Sequence, residues 1–125
     1  MPTIRLNDLQ RFAAYNIAVL WGEEKKAGGN HARRLQRIVD RFCIDQLEEF
    51  DRKNRERPDE ERKIYRFDDE QIPYEIDEAD LDFYRPIARE YFDKQEGLPS
   101  YFRSASTNWR VVLGLMNAIE AASKG

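Results

Sequence analysis

The chain has 125 residues, of which 41% are hydrophobic, 36% are charged and 12% are aromatic, and its formal net charge at pH 7 is −3. This length suits one compact domain, which we predict to span residues 1–125, and the aromatic content argues against a disordered chain. The mild net charge gives no overall attraction to nucleic acid, and no stretch approaches the ~18 apolar residues of a membrane span. The single cysteine, Cys43, excludes an internal disulfide. We therefore expect a cytoplasmic protein that does not enter a membrane.

The first helix is predicted over residues 8–27. Apolar side chains recur there at three- and four-residue steps between Leu9 and Trp21, which places them on one helical face. Asn7 is the predicted N-cap, and Gln10, three residues later, completes a capping box. The two glycines that follow residue 27 are expected to end the helix, since glycine readily adopts the left-handed conformation.

The second helix is predicted over residues 31–57, with Asn30 as its N-cap. Apolar residues from Leu35 to Phe50 form one stripe, and arginines lie on the opposite side. The polar residues after Phe50 are expected to project beyond the core or to fray.

Residues 63–76 contain two short β-prone runs, Lys63–Phe67 and Ile72–Ile76, on either side of an acidic turn. These runs predict a small β-ribbon or an extended loop, and Pro73 restricts the second run to an edge position.

Two further helices are predicted over residues 83–96 and 106–123. Pro86 is expected in the first turn of the earlier helix, where its missing N–H costs little. The last helix is apolar on most sides, so we expect it to lie centrally or against a partner. Gly114 in its middle predicts a close helix contact.

The predicted fold is therefore a small, mostly α-helical bundle of about four helices. Its predicted core comprises Leu9, Phe12, Ile17, Leu20, Leu35, Ile38, Phe42, Leu47, Ile87, Tyr91, Trp109, Val112, Leu113, Met116 and Ile119.

Counting side chains excludes most catalytic sites. His31 is the only histidine, and on a shared helix it would lie about 18 Å from Cys43, because the rise is about 1.5 Å per residue. No phosphate-binding glycine loop is present, and the acidic residues do not have the spacing of a calcium-binding loop. We predict no catalytic residue, no metal site and no cofactor. His31 is interpreted as an edge residue and Cys43 as a small buried one.

A basic stripe runs along the second predicted helix. Residues 25–43 carry six basic side chains against one acidic side chain. Three interpretations stay open: a solvated face, a face that docks on protein (including the acidic segment described next), and a face that contacts phosphates. The residues are Lys25, Lys26, Arg33, Arg34, Arg37 and Arg41.

An acidic segment, residues 67–82, contains eight carboxylates and no basic residue. It is interpreted either as a solvated loop or as a surface that meets a basic partner. Its carboxylates are Asp68, Asp69, Glu70, Glu75, Asp77, Glu78, Asp80 and Asp82. Phe83, Tyr84 and Tyr101 are candidate aromatic anchors, since aromatic residues often dominate binding energy.

Separated charge without a catalytic set favours a non-catalytic protein-interaction module, such as an accessory subunit, inhibitor or adaptor. The alternative is a nucleic-acid-binding regulator, or a small ribonucleoprotein subunit, that contacts phosphates through its arginines. The apolar last helix and the two oppositely charged segments also suit a symmetric homodimer.

Overall fold

The computed structural model describes residues 1–42, 49, 52–61, 69–99 and 104–124. Its elements, in chain order, are the strand β1 (Thr3–Leu6), the helices α1 (Asp8–Glu24) and α2 (Asn30–Arg41), a 3-10 turn (Asp59–Glu61), the strand β2 (Ile72–Glu75), and the helices α3 (Glu78–Asp93) and α4 (Ala105–Lys124). The predicted mostly α-helical bundle with a short β-ribbon is confirmed. Helix α4 packs against α3, α1 and β1, and α1 also contacts α2 and α3.

Among the described residues, the β-ribbon pairs β2 with a strand near the start of the chain. Strand β2 forms within the predicted run at residues 72–76, but it pairs antiparallel with β1, so that Thr3 faces Glu75 and Leu6 faces Ile72. The run at residues 63–67 lies outside the described residues. Ile4 and Leu6 are buried while their neighbours are exposed, because successive strand side chains point to opposite faces. Burial of this apolar face therefore accounts for the pairing.

Helix α1 begins as predicted. The backbone N–H of Gln10 donates to Asn7 Oδ1 at 2.8 Å, and the backbone N–H of Asn7 donates to Gln10 Oε1 at 3.0 Å. This capping box satisfies two N–H groups that would otherwise lack partners. The helix ends at Glu24, and Lys26 adopts φ 50° before the predicted glycines are reached.

Helix α2 is shorter than predicted. It begins after Gly29 without a side-chain cap and ends at Arg41, where the N–H of Phe42 bonds to the carbonyl of Val39 at 3.1 Å. Helical conformation is described again at Glu49 and at residues 52–55. Cys43 and the rest of residues 43–48 lie outside the described residues.

Helix α3 starts five residues before the predicted position. Asp77 is its extended N-cap, and the Asp77 carbonyl accepts from the N–H of Leu81 at 2.9 Å. Acidic side chains in the first turn, Glu78 and Asp80, favour this start because helix N-termini carry partial positive charge. Pro86 therefore lies inside the helix and not in its first turn.

Among the described residues, apolar side chains from β1, from Ile76 after β2 and from the helices α1 to α4 form one buried cluster. Leu20 and Trp109 were expected in this core, but they are 40% and 37% exposed. Leu9 and Leu113 are half-buried, and Leu47 lies outside the described residues. The predicted core residues that are buried are Phe12, Ile17, Leu35, Ile38, Phe42, Ile87, Tyr91, Val112, Met116 and Ile119.

The predicted close contact at Gly114 is confirmed. A Cβ atom at this position would lie 2.6 Å from Nε2 of Gln10. Gly114 thus leaves room for the side chain that caps α1.

Candidate partner-binding surface

The basic face of α2 meets the start of α3 at one buried carboxylate. The side chain of Asp80 is only 2% exposed. Arg37 donates to it twice, from Nε to Oδ2 and from Nη2 to Oδ1, both at 2.8 Å. Arg34 adds a second guanidinium, with its Nε 3.8 Å from Oδ1 of Asp80 and its Nη1 donating to the Ala79 carbonyl at 3.4 Å. The carboxylate is therefore held by two cations of α2.

This pairing keeps Asp80 ionised inside the protein. The hydrogen bonds from Arg37 hold the pKa of Asp80 below its usual 3.8, and the charges of Arg37, Arg34 and Arg41 act in the same direction against the opposing effect of burial. A buried charge is tolerated only when it is paired in this way. The docking of the basic stripe on the acidic segment, one of the three interpretations, thus occurs within the chain.

Asp80 was also predicted as a partner contact, whereas the structure places it inside the α2–α3 contact. Its carboxylate is enclosed and bonded by Arg37, so a partner cannot reach it without breaking the α2–α3 contact. Arg34 and Arg37, by contrast, keep part of their side chains exposed while they bind Asp80.

A half-exposed aromatic cluster lies beside this ion pair. The ring of Phe83 lies 5.8 Å from Trp21, edge to face, and 5.5 Å from His31, while Trp21 and His31 are 6.1 Å apart. The guanidinium carbon of Arg34 lies 5.3 Å from the centre of the Phe83 ring. Arg34 therefore contacts both the Asp80 carboxylate and the Phe83 ring, which restricts its conformations.

Sequence reasoning predicted Phe83 as a contact residue but did not predict that Trp21 and His31 lie beside it. The available signal was their position on either side of the predicted glycine turn, where the end of α1 and the start of α2 come together. The interpretation of His31 as an edge residue agrees with its exposed ring.

Tyr84 does not serve as a surface anchor. It is 1% exposed, and its hydroxyl donates to the carbonyl of Ala14 on α1 at 2.7 Å. Burial raises its pKa far above the usual value, so the phenol stays neutral. Tyr84 is a core residue that joins α3 to α1, whereas the sequence predicted an aromatic anchor at the surface. Tyr101 lies outside the described residues.

The remaining acidic residues that the structure describes lie before β2, on β2, at the N-cap of α3 and in its first turns. Asp77 is half-buried, and Asp68 lies outside the described residues. Asp82 pairs with Arg85 at 3.2 Å. Within the described part of the chain, the side chains of Glu75 and Glu78 form no ion pair or hydrogen bond. The exposed members of the set are Asp69, Glu70, Glu75, Glu78 and Asp82.

The remaining basic residues are exposed. Lys25 lies 3.7 Å from Glu90. The side chains of Lys26, Arg33 and Arg41 form no ion pair or hydrogen bond with any described residue. Because carboxylates of α3 adjoin the arginines of α2, this surface carries both signs of charge. A phosphate backbone would meet those carboxylates as well, so no observation favours the nucleic-acid alternative.

A second polar junction, which sequence reasoning missed, joins the ends of α1 and α3. The hydroxyl of Tyr91 donates to Oε2 of Glu24 at 2.7 Å, and Nζ of Lys94 lies 3.3 Å from Oε1. The hydrogen bond from Tyr91 lowers the pKa of Glu24, and the contact with Lys94 acts in the same direction. Burial, reinforced by this carboxylate, raises the pKa of Tyr91. No local sequence signal connects residues so far apart in the chain.

Among the residues that the structure describes, no group of three or more His, Cys, Asp or Glu side chains is placed to hold a metal ion. None of the described helices is long and apolar enough to cross a membrane. No family model, curated protein or solved structure matches the chain.

Proposed function

We propose that this chain is a non-catalytic protein-interaction module that acts in the cytoplasm as an accessory subunit, inhibitor or adaptor, and that its partner is another protein. Its contact surface, called here the mixed-charge surface, lies where α2 meets the start of α3. The surface comprises Trp21, His31, Arg33, Arg34, Glu78 and Phe83.

The observation that carries this proposal is the fixed position of Arg34. The side chain is held between the carboxylate of Asp80 and the ring of Phe83, yet it remains partly exposed. Arginine and aromatic side chains dominate many protein interfaces, and a side chain already ordered before binding loses less entropy on association. Trp21 and His31 extend the aromatic area beside it.

The charges around this centre would fix the orientation of a partner. Arg33 and Arg41 are unpaired on α2, whereas Glu75 and Glu78 are unpaired at β2 and the start of α3, all within the described residues. A complementary protein presents carboxylates over α2 and cations over the start of α3. Such complementary charges speed the approach of the two proteins and disfavour other relative orientations of their surfaces.

The experiment compares a charge-reversed surface with a matched control. The double variant R33E/E78K exchanges two exposed, unpaired charges on the mixed-charge surface, and R110E/E60K makes the same exchange at exposed positions elsewhere. Partners captured from nuclease-treated native extract are identified by mass spectrometry, purified, and titrated against each chain. We expect R33E/E78K to weaken binding about tenfold or more and R110E/E60K to leave it within about twofold.

Equal affinity of all three chains for every captured partner would remove this surface from the proposal. Capture that disappears on nuclease treatment would overturn the proposal in favour of the nucleic-acid alternative. A dilution series in the analytical ultracentrifuge tests the remaining possibility. If wild type dimerises and the single variant R33E remains monomeric, the partner is a second copy of the chain, because reversing one sign alone sets like charges against each other in a symmetric dimer.

A further inference from the structure

The hydrogen bonds of the β-ribbon show which backbone groups point towards its outer edges. The N–H of Ile76 donates to the carbonyl of Pro2 at 3.1 Å, and these two residues lie opposite each other in the register of the sheet. Hydrogen-bonded and non-hydrogen-bonded pairs alternate along an antiparallel ladder. The N–H and C=O groups of Thr3 and Arg5, which stand one and three residues after Pro2, therefore point away from β2.

The outer edge of β2 is protected against a further strand by a proline. Pro73 lies opposite Arg5, so its nitrogen also points outwards, and proline has no N–H to donate. Proteins commonly block an edge strand in this way.

The outer edge of β1 has no such protection. Thr3 and Arg5 are both exposed, and no residue that the structure describes forms a hydrogen bond with their outward N–H or C=O groups. The side chains that β1 buries, Ile4 and Leu6, lie on one face of the strand. Four backbone groups at this edge are therefore available to another strand.

A second copy of β1 offers the same four groups in reverse order. When two copies lie antiparallel with Thr3 opposite Arg5 of the other copy, each such pair exchanges two hydrogen bonds. All four outward groups of each strand are then paired. Ile4 lies beside Ile4 of the second copy, and the two Arg5 side chains are not directly opposite, so this register avoids a like-charge pair.

The exposed face of the ribbon carries two charges that this register brings together. Arg5 and Glu75 form no ion pair or hydrogen bond within the described part of the chain. Thr3 lies opposite Glu75 of its own chain, and it would lie opposite Arg5 of the second copy. Neighbouring strands are about 4.8 Å apart, so the backbones of Glu75 and this arginine would be about 10 Å apart, which two long side chains can span across the short Thr3.

We propose that β1 pairs edge to edge with β1 of a second copy of this chain, so that the two ribbons form one four-stranded antiparallel sheet. The outward backbone groups determine the register, and the contact between Arg5 and Glu75 supports it. No residue of the mixed-charge surface takes part, so that surface stays free for another protein. The contact between two short strands is small, and we therefore expect dimers to form at protein concentrations of about 0.1–1 mM.

A proline at an outward position tests the backbone pairing. T3P removes an N–H that β2 does not use, whereas the matched control T3V keeps both this N–H and the branched shape of the side chain. Sedimentation equilibrium of the full chain is followed from about 10 μM to about 1 mM. We expect T3P to weaken dimerisation at least about tenfold and T3V to leave it within about twofold.

Hydrogen exchange measured by NMR locates the contact in the wild-type chain. The amide hydrogens of Thr3 and Arg5 point away from β2, so their exchange should slow as the protein concentration rises.

A charge exchange tests the register without disturbing the backbone. R5E brings two carboxylates together in the dimer and should weaken dimerisation at least about threefold. R5E/E75K restores opposite signs and should return the dissociation constant to within about twofold of wild type. R33E, on the mixed-charge surface, should dimerise as wild type does.

Three results would overturn the proposal. The first is a wild-type chain that stays monomeric up to about 1 mM. The second is dimerisation that is unchanged in a folded T3P or, if T3P does not fold, unchanged in R5E. The third is dimerisation that is lost in R33E and kept in R5E, which would place the interface on the mixed-charge surface. A monomeric wild-type chain leaves the proposed function intact, because that proposal is tested by the affinity of R33E/E78K for captured partners.

Discussion

Polar contacts hold helix α3 to its neighbours near both of its ends. The two junctions differ in which member of the pair is buried, the carboxylate or the group that donates to it. Near its start, the carboxylate of Asp80 is buried and the guanidinium of Arg37 is half exposed. Near its end, the phenol of Tyr91 is buried and the carboxylate of Glu24 is half exposed. The first junction therefore encloses an ionised group, and the second encloses a neutral one.

This difference decides how much each junction contributes to stability. An enclosed carboxylate without its cations would lose both water and protein contacts, so the Arg37–Asp80 pair constrains where α2 lies against α3. An exposed carboxylate that loses a protein contact regains water at little cost. We therefore expect the α2–α3 junction to be the more sensitive to substitution.

The largest expected effect comes from D80N. The amide keeps the shape of the side chain but removes the charge that both guanidiniums bind, and we expect a loss of about 2 kcal/mol in the free energy of unfolding. The half-exposed position of Arg37 keeps the loss below that of a fully buried ion pair. Urea unfolding monitored by circular dichroism measures it. D82N, at an exposed carboxylate of the same helix, is the control, and equal losses in the two variants would erase the contrast between buried and exposed carboxylates.

The same pair should give a defined pH dependence. The folded-state pKa of Asp80 lies below the ordinary value of 3.8, so its ionised form favours folding. This contribution is complete above pH 3.8 and is lost as the pH falls through the folded-state pKa. The stability difference between wild type and D80N should stay constant from pH 7 to about pH 4.5 and narrow below about pH 3.8. If the stability difference between wild type and D80N instead widens as the pH falls, folding does not lower the pKa of Asp80.

At the second junction, Y91F should have a smaller effect. It removes one hydrogen bond from a buried hydroxyl without leaving a buried partner unpaired, and we expect a loss of about 1 kcal/mol in the same urea experiment. A loss as large as that of D80N would show that the two junctions contribute equally.

The smallest effect is expected for E24Q, because the amide can still accept from Tyr91 and the side chain is half exposed. Its urea midpoint should shift less than that of Y91F. If the urea midpoint of E24Q shifts more than that of Y91F, the charge of Glu24 and its contact with Lys94 stabilise the junction more than the hydrogen bond from Tyr91 does.

Elements fixed by neighbouring residues could be predicted from the sequence. The capping box of Asn7 and Gln10 and the start of α1 depend on side chains three residues apart, so local pattern is sufficient. Helical periodicity likewise predicts much of the buried faces of α1 and α4, although Leu20 and Trp109, which it also placed there, are exposed.

The predicted start of α3 is five residues too late because it places Pro86 in the first turn, whereas Pro86 lies inside the helix. A signal against this was present: Asp80 stands four and seven residues before Tyr84 and Ile87, and all three lie on the buried stripe of α3. An acidic residue on an apolar stripe favours a buried ion pair over a surface contact. The arginines of α2 were recognised as a face, but their partner could not be chosen, because that choice depends on how two distant helices pack.

The partner of strand β1 could not be predicted from the sequence. Its four residues alternate between polar and apolar as in a strand, but they pair with a segment far along the chain, which no local pattern indicates. Leu20 was assigned to the core because it continues the apolar run of α1. The helix is apolar on more sides than the core covers, and Leu20 lies on a side that stays exposed.

The pairing of β1 with β2 also bears on the order of folding. Thr3 and Glu75 are separated by about 70 residues, and closing so long a loop carries an entropy cost that local helix formation does not. The helices can begin to form while a chain is still being synthesised, but Ile4 and Leu6 must wait until β2 and then α4, which also packs against β1, have emerged. Until then these two apolar side chains remain uncovered, and a growing chain at that stage would be a natural substrate for a chaperone.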